Sequence, residues 1–224
     1  MQAALGRTGN GQSVVPYIVG FDDKELEQAV NHHYGCDWRS LTRTFYFAAA
    51  QCNLGRRSRL TKRYDVDIWG SVWRTDRGAM HLEVPAMSEP SFKDYKLPTL
   101  EQILDPYGKL DMVKLANQEI AANPDLFSMT NIGLGLFEAT WFIRGFENAL
   151  TDIAAEPGFY EEFVGRLTEL YMGVVKFFAD VKCDAVFFAD DWGGQQGVIM
   201  GPDNWRRFFK PAWKQLYGEV HKQG

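Results

Sequence analysis

The chain has 224 residues and a net charge of −5, with 46% apolar and 14% aromatic residues. That length suffices for one domain with a sizeable core, the composition excludes disorder over most of it, and the charge offers no basic footprint for nucleic acid. No apolar run reaches the roughly 18 residues of a membrane span, and the start lacks the apolar segment of a secretory signal. Cys36, Cys52 and Cys183 are widely spaced and odd in number. They read as reduced thiols in a soluble, cytoplasmic protein rather than as a disulfide frame.

Residues 1–13 are Gly-rich and polar, and read as the end of a leading helix plus a loop. Val14 to Gly20 has the composition of a first strand. Asp22 followed by Glu25 reads as a capping box, Leu26, Ala29, Val30 and His33 recur at helical spacing, and Gly35 supplies the stop. The stretch 41–63 has no clear periodicity, and its cluster of Arg56, Arg57, Arg59, Lys62 and Arg63 reads most simply as a solvated basic face. The sharper alternative is a patch that meets an acidic substrate or partner.

Tyr64 to Trp69 alternates like a strand, and Gly70 to Pro85 reads as a hairpin turning near Asp76-Arg77-Gly78. Pro85 to Pro98 is an irregular connection. Helical spacing returns from Leu110 to Ile120, and Asn123-Pro124 closes it. Leu126 to Leu136 reads as a buried strand, with a helix opening at Thr140 to Gly145. Glu156-Pro157 starts a long helix whose stripe is Phe159, Phe163, Leu167, Leu170, Val174 and Phe177.

Ala185 to Ala189 is a short apolar run of the kind shown by a strand buried on both faces of a parallel sheet. It ends at Asp190 and Asp191, and Trp192, two glycines and Gln195 follow. Trp205, Phe208, Phe209, Ala212, Leu216 and Val220 mark a last helix, restarted at Pro211. Strands separated by helices imply parallel pairing, here of about four strands in a single domain spanning 1–224. The chain ends where a fifth strand would be due, which reads as truncation.

Two carboxylates at the tip of a buried parallel strand are costly unless something binds there, which makes Asp190 and Asp191 candidate catalytic groups. The bland alternative is a capping and loop-stabilising role. Asp67, by its own place in the sequence, reads as plain edge polarity in an alternating strand. Trp69, Trp141 and Trp192, together with Trp73, have the character of walls for a flat or apolar ligand, and Gln195 is a candidate substrate contact beside them. His32 to Cys36 offers no third and fourth ligand at metal-binding spacing, so no metal site is assigned. Gly133 and Gly135 form no nucleotide-binding fingerprint.

Gly133-Leu-Gly-Leu-Phe-Glu-Ala-Thr-Trp-Phe-Ile-Arg-Gly145 and Phe188-Ala-Asp-Asp-Trp-Gly193, the latter leading into Gly201-Pro-Asp-Asn-Trp-Arg-Arg-Phe-Phe-Lys-Pro211, carry a resemblance. The chain resembles the uroporphyrinogen decarboxylase superfamily, which also contains cobalamin-dependent methyltransferases acting on thiols. The likeness runs along the whole chain and about the first two-thirds of a family-length domain. It implies a (β/α)8 TIM barrel of which the first four to five β/α units are present.

The resemblance places Asp67 where the decarboxylases keep a central catalytic Asp, Trp141 where they keep a Tyr, and Asp190 where they keep a Ser near a substrate carboxylate. Their arginine-bearing run after the first strand corresponds here to Val19 to Glu25, which holds three acids and no arginine. A polycarboxylate substrate would meet negative charge there. The implied activity is therefore a corrinoid-linked methyl transfer on a small-molecule substrate, with a corrinoid (cobalamin) protein as partner. Zinc belongs to the full-length enzyme through ligands that the family order puts beyond residue 224, and a homodimer is the implied assembly. The alternatives are uroporphyrinogen decarboxylation within porphyrin biosynthesis, and a non-catalytic fragment or ligand-binding relic.

Overall fold

The computed structural model describes residues 23–38, 46–76, 81–108 and 111–223. The strand expected at Val14 to Gly20 and the turn at Arg77-Gly78 lie outside them. Helix α1 (Lys24–Tyr34) starts at Asp23, whose carboxylate accepts from the amides of Glu25 at 2.8 Å and Leu26 at 3.2 Å. The cap is thus Asp23 and not Asp22, so Glu25 falls inside the first turn and makes no capping box. Gly35 ends the helix at φ 66°, a left-handed conformation that glycine adopts freely.

Three parallel strands form the central sheet in the order β1-β6-β7, comprising β1 (Tyr46–Asn53), β6 (Phe127–Gly133) and β7 (Ala185–Phe188). Strand β1 lies in the stretch that showed no periodicity. Between β1 and β6 the chain makes a second, antiparallel sheet of β2 (Arg57–Arg59), β3 (Tyr64–Asp67), β4 (Val72–Arg74) and β5 (His81–Val84) in sequential order. The hairpin reading of 70–85 therefore holds. The strand at Tyr64, however, pairs antiparallel with its neighbours, because short turns on both sides leave no crossover to carry it into the parallel sheet.

Helices α2 (Leu100–Gly108) and α3 (Met112–Ala122) follow, the first unforeseen and the second closed at Asn123. The segment Thr140 to Gly145 ends a helix instead of opening one. Helix α4 (Leu136–Arg144) begins directly after β6, and Gly145 breaks it from α5 (Phe146–Ala155). Helix α6 (Pro157–Phe177) is the spine of the core, with Tyr160, Phe163, Leu167, Tyr171 and Val174 fully buried. Beyond β7, a two-stranded ribbon of β8 (Gly193–Gly194) and β9 (Gly197–Val198) precedes α7 (Pro202–Asn204), a π-helical turn over Trp205–Phe209 and α8 (Lys210–Lys222).

Strand β7 is not buried on both faces. It lies at the end of the sheet order, and Phe187 is 49% exposed. None of the sheets closes on itself among the described residues, so the molecule is mixed α/β with an open parallel sheet, and no barrel is formed there.

One buried ion pair fastens α4 to α5 and to the segment that follows β5. Arg144, at the end of α4, makes bonds of 2.6 and 3.0 Å to both oxygens of Asp152 on α5, and donates to the carbonyls of Met87 and Ser88. Every charge in that pair has a partner, which is the condition for tolerating it in a core. Ser71 adds a second clasp, donating to the Phe142 carbonyl at 2.6 Å and accepting from the Ala86 amide.

Candidate functional site

The C-terminal ends of β6 and β7 meet the start of α4, and the local chemistry there is unusual. Leu134 joins strand to helix at φ 68°, a conformation that a branched side chain adopts only under strain. Tyr171 holds it in place, its hydroxyl donating to the Leu134 carbonyl at 2.5 Å and to that of Gly135 at 3.2 Å. Strained backbone fixed in this way clusters at functional sites.

Helix α4 has glycine at its N-cap and hence no side-chain acceptor of its own. Asp190, arriving from the end of β7, supplies one from across the sheet. Its carboxylate accepts from the Phe137 amide at 3.1 Å and the Glu138 amide at 3.0 Å. Glu138 completes the other half of a capping box by accepting from the Gly135 amide at 3.2 Å. The fit requires glycine, since a Cβ on Gly135 would sit 2.1 Å from the Asp190 side chain and 2.5 Å from the Ala189 carbonyl oxygen.

Burial pushes the Asp190 carboxyl up to about 7, outweighing the two amide donors and the nearby Trp213 indole, which favour its charged form. That indole nitrogen faces the acid without reaching hydrogen-bonding geometry. Burial likewise raises the Glu138 carboxyl, and the charge of Asp191 raises it further. Three carboxylates, Asp190, Asp191 and Glu138, therefore share this rim, with Asp191 exposed to solvent. A carboxyl that still holds its proton near neutrality can donate one. Helix N-terminus and acid together make a place for a group that exchanges a proton.

Asp67 is elsewhere. It ends β3 in the antiparallel sheet, 5% exposed, and accepts from the amides of Trp69 at 3.0 Å and Ser71 at 2.8 Å and from the Trp73 indole at 2.7 Å. Burial raises its carboxyl too, against those three donors. It closes a turn and aims Trp73. Trp73 in turn touches Trp141 on α4, the ring centres 6.2 Å apart, and both line a groove of about 550 Å³ rimmed by His81, Glu147 and Asn148. Trp69 is 2% exposed and lies in the core, so it walls no open pocket.

Trp192 belongs to a different cluster, with Trp205 and Trp213 at centroid distances of 5.4 and 5.9 Å. Gln195 is exposed at the tip of the β8–β9 ribbon. The expected residues thus fall into an acidic rim with Asp190 and Asp191, a buried clasp with Asp67 and Trp69, and two separate aromatic surfaces. Glu138, Gly135 and Tyr171 were missed. The Gly-x-x-Glu spacing of Gly135 and Glu138 is the one signal that was readable, as half of a capping box.

The basic cluster divides: Arg59, Lys62 and Arg63 form a solvated face, whereas Arg56 and Arg57 are half-buried, Arg56 donating to the Gln102 carbonyl. Arg59 meets Asp65 at 3.2 Å, Arg63 meets Asp76 at 3.5 Å, and Arg57 lies over the Trp73 ring. Among the described residues no group of three His, Cys, Asp or Glu side chains is placed to hold a metal ion, and no helix is long and apolar enough to cross a membrane. No protein-family model matches the chain, and no curated protein matches it.

Proposed function

We propose that the chain is the acid-bearing part of an enzyme of the uroporphyrinogen decarboxylase superfamily, on its methyltransferase-like side. The reading includes a cytoplasmic protein, and a complete (β/α)8 barrel to which the open parallel sheet would contribute consecutive strands. The observation that carries it is Asp190 at the C-terminal edge of that sheet, its carboxyl pushed up to about 7 where it caps α4. Ligands of parallel α/β sheets bind beyond the carboxyl ends of the strands.

In this role Asp190 in its neutral form gives its proton to the heteroatom from which a methyl group departs, while Glu138 and Asp191 set the field around it. A corrinoid held by a partner protein would supply the methyl acceptor or donor. The described residues do not fit a zinc site, and the role given to Asp190 is drawn without one. Three acids on one rim also suit a small neutral or cationic substrate better than a polycarboxylate.

The two amide bonds to Asp190 equally suit a purely structural cap, and this second reading makes a different forecast. Asparagine is a good N-cap and keeps the acceptor oxygen while losing the proton. Methyl transfer from a methyl thioether to cob(I)alamin should fall by about a hundredfold in Asp190→Asn, with the far-ultraviolet spectrum unchanged. Equal rates in the two proteins would leave the acid a cap only. Coproporphyrinogen formed from uroporphyrinogen would instead restore the decarboxylase.

A further inference from the structure

A second surface, apart from the acidic rim's own side chains, has the makings of a ligand site. Trp192, Trp205, Trp213 and Tyr217 line an open groove of about 640 Å³, with Lys210 and Lys214 along it. Trp213 and Tyr217 are stacked with centroids 5.4 Å apart and planes 24° apart, and Trp192 meets Trp205 and Trp213 edge-on. An apolar cleft of this size with a few placed polar groups is the usual form of a small-molecule site.

The local backbone explains how the rings come together. Pro211 cannot donate to the helix ladder, and its ring crowds the carbonyl of Arg207. The chain responds with the π-helical turn over Trp205–Phe209, in which the Lys210 amide donates back to the Trp205 carbonyl, five residues away. Eight residues along an unbroken α-helix would put Trp205 and Trp213 about 80° apart. One extra residue in a wide turn makes them equivalent to a seven-residue spacing, which lies on one face.

Two further observations point to an occupant. The indole nitrogen of Trp205 is buried and without any hydrogen-bond partner, whereas that of Trp213 faces Asp190. Buried donors left unpaired are rare in folded proteins and mark where an acceptor is wanted. Lys210 and Lys214 are exposed one helical turn apart, bringing positive charge to this groove in a chain of net charge −5.

We propose that this groove binds a planar aromatic anion, its ring lying against the tryptophan and tyrosine faces and its carboxylate or equivalent group meeting Lys210 and Lys214. The ring gains from offset and edge-on contact with the indoles, and the anion from two ammonium groups on one helix face. A second copy of the chain, or an apolar protein segment laid along the neighbouring β7 edge, is the rival occupant, and the experiment separates it. The site stands without reference to turnover, so its failure and that of the acid's proposed role are independent.

The test titrates the full chain, its indoles labelled with nitrogen-15, with naphthalene-2-carboxylate, naphthalene-2-methanol and naphthalene-2-methylamine. Saturable binding of the carboxylate that shifts the indole signals of Trp192, Trp205 and Trp213, and not that of Trp69, is the expected result. The double variant Lys210→Gln, Lys214→Gln alters only exposed positions and should weaken it by about tenfold, with the neutral alcohol unaffected. Equal affinity for all three probes, or no shift at those three indoles, overturns the proposal. So does a concentration-dependent dimer in sedimentation that protects the same indoles and excludes the carboxylate.

Discussion

Asp67 and Asp190 are both carboxylates drawn into the protein interior, both held by backbone amides, and both raised by burial above the ordinary aspartate range. Their surroundings differ in reach. All the side-chain hydrogen bonds of Asp67 come from Trp69, Ser71 and Trp73, within six residues, so the acid closes a turn of its own sheet. Asp190 is bonded to amides 52 and 53 residues away, tying the end of one strand to the start of a helix that follows another. A local clasp protects a turn. A long-range cap at the carboxyl edge of parallel strands organises the surface where ligands approach, and its acid remains close to solvent-exposed Asp191.

The most disruptive way to break the contrast is Gly135→Ala. Its new methyl would fall 2.1 Å from the Asp190 side chain and 2.5 Å from the Ala189 carbonyl oxygen, which is backbone and cannot swing aside. A loss of about 4 kcal/mol or failure to fold is expected, read by urea unfolding. Next comes Asp67→Ala, which strands the Trp73 indole and two amides in the core. About 3 kcal/mol should be lost, with the Trp73 fluorescence altered and the rim unaffected.

Asp190→Asn is milder for the fold, at about 1 kcal/mol, and changes the pH dependence. Between about pH 4 and 7 the folded chain keeps a proton on Asp190 that the unfolded chain has released. Stability therefore falls as pH rises through that window, by on the order of 4 kcal/mol for this group, and is flat above it. Asp67 and Glu138 are raised and contribute with the same sign. Unfolding midpoints taken from pH 4 to 8 should fall steeply in the parent and clearly less in Asp190→Asn. The smallest effect belongs to the basic face, where Arg59→Ala removes an exposed guanidinium from half-buried Asp65 and should shift stability by no more than about 1 kcal/mol.

Much of the fold was legible because its signals are local. Pro157 at a helix start, Asn123-Pro124 at a helix end and the 70–85 hairpin all act within a few residues of where they are written, and the acid before α1 was placed one residue early, at Asp22 instead of Asp23. Strand β1 escaped because its register shifts between Ala48 and Ala50, so that buried and exposed positions do not alternate along it. Strand β7 was identified as a strand but given the wrong surroundings, since its place in the sheet order is set by chain that lies elsewhere.

The site was legible to the same degree. Asp190 and Asp191 stood out as acids ending an apolar run. That Asp190 serves α4, and that Gly135 must be bare to admit it, depends on a tertiary meeting that no spacing within either segment records. Asp67 was the converse case. The resemblance suggested chemistry there, whereas Trp69, Ser71 and Trp73 just after it supply the hydrogen bonds its side chain accepts. Trp69 and Gln195 failed as pocket residues for opposite reasons, one sealed in the core and the other out on a ribbon tip.

The difference between the two acids is tested most directly by carbon-13 NMR of the aspartate carboxyls across pH 3 to 9, with Asp190→Asn assigning the signal. The expected result is one carboxyl titrating at about 7, absent from the variant, with the Glu138 and Phe137 amides shifting in step. A titration of Asp190 near 4, or amide shifts that do not follow it, would contradict the proposed role and leave the residue a helix cap.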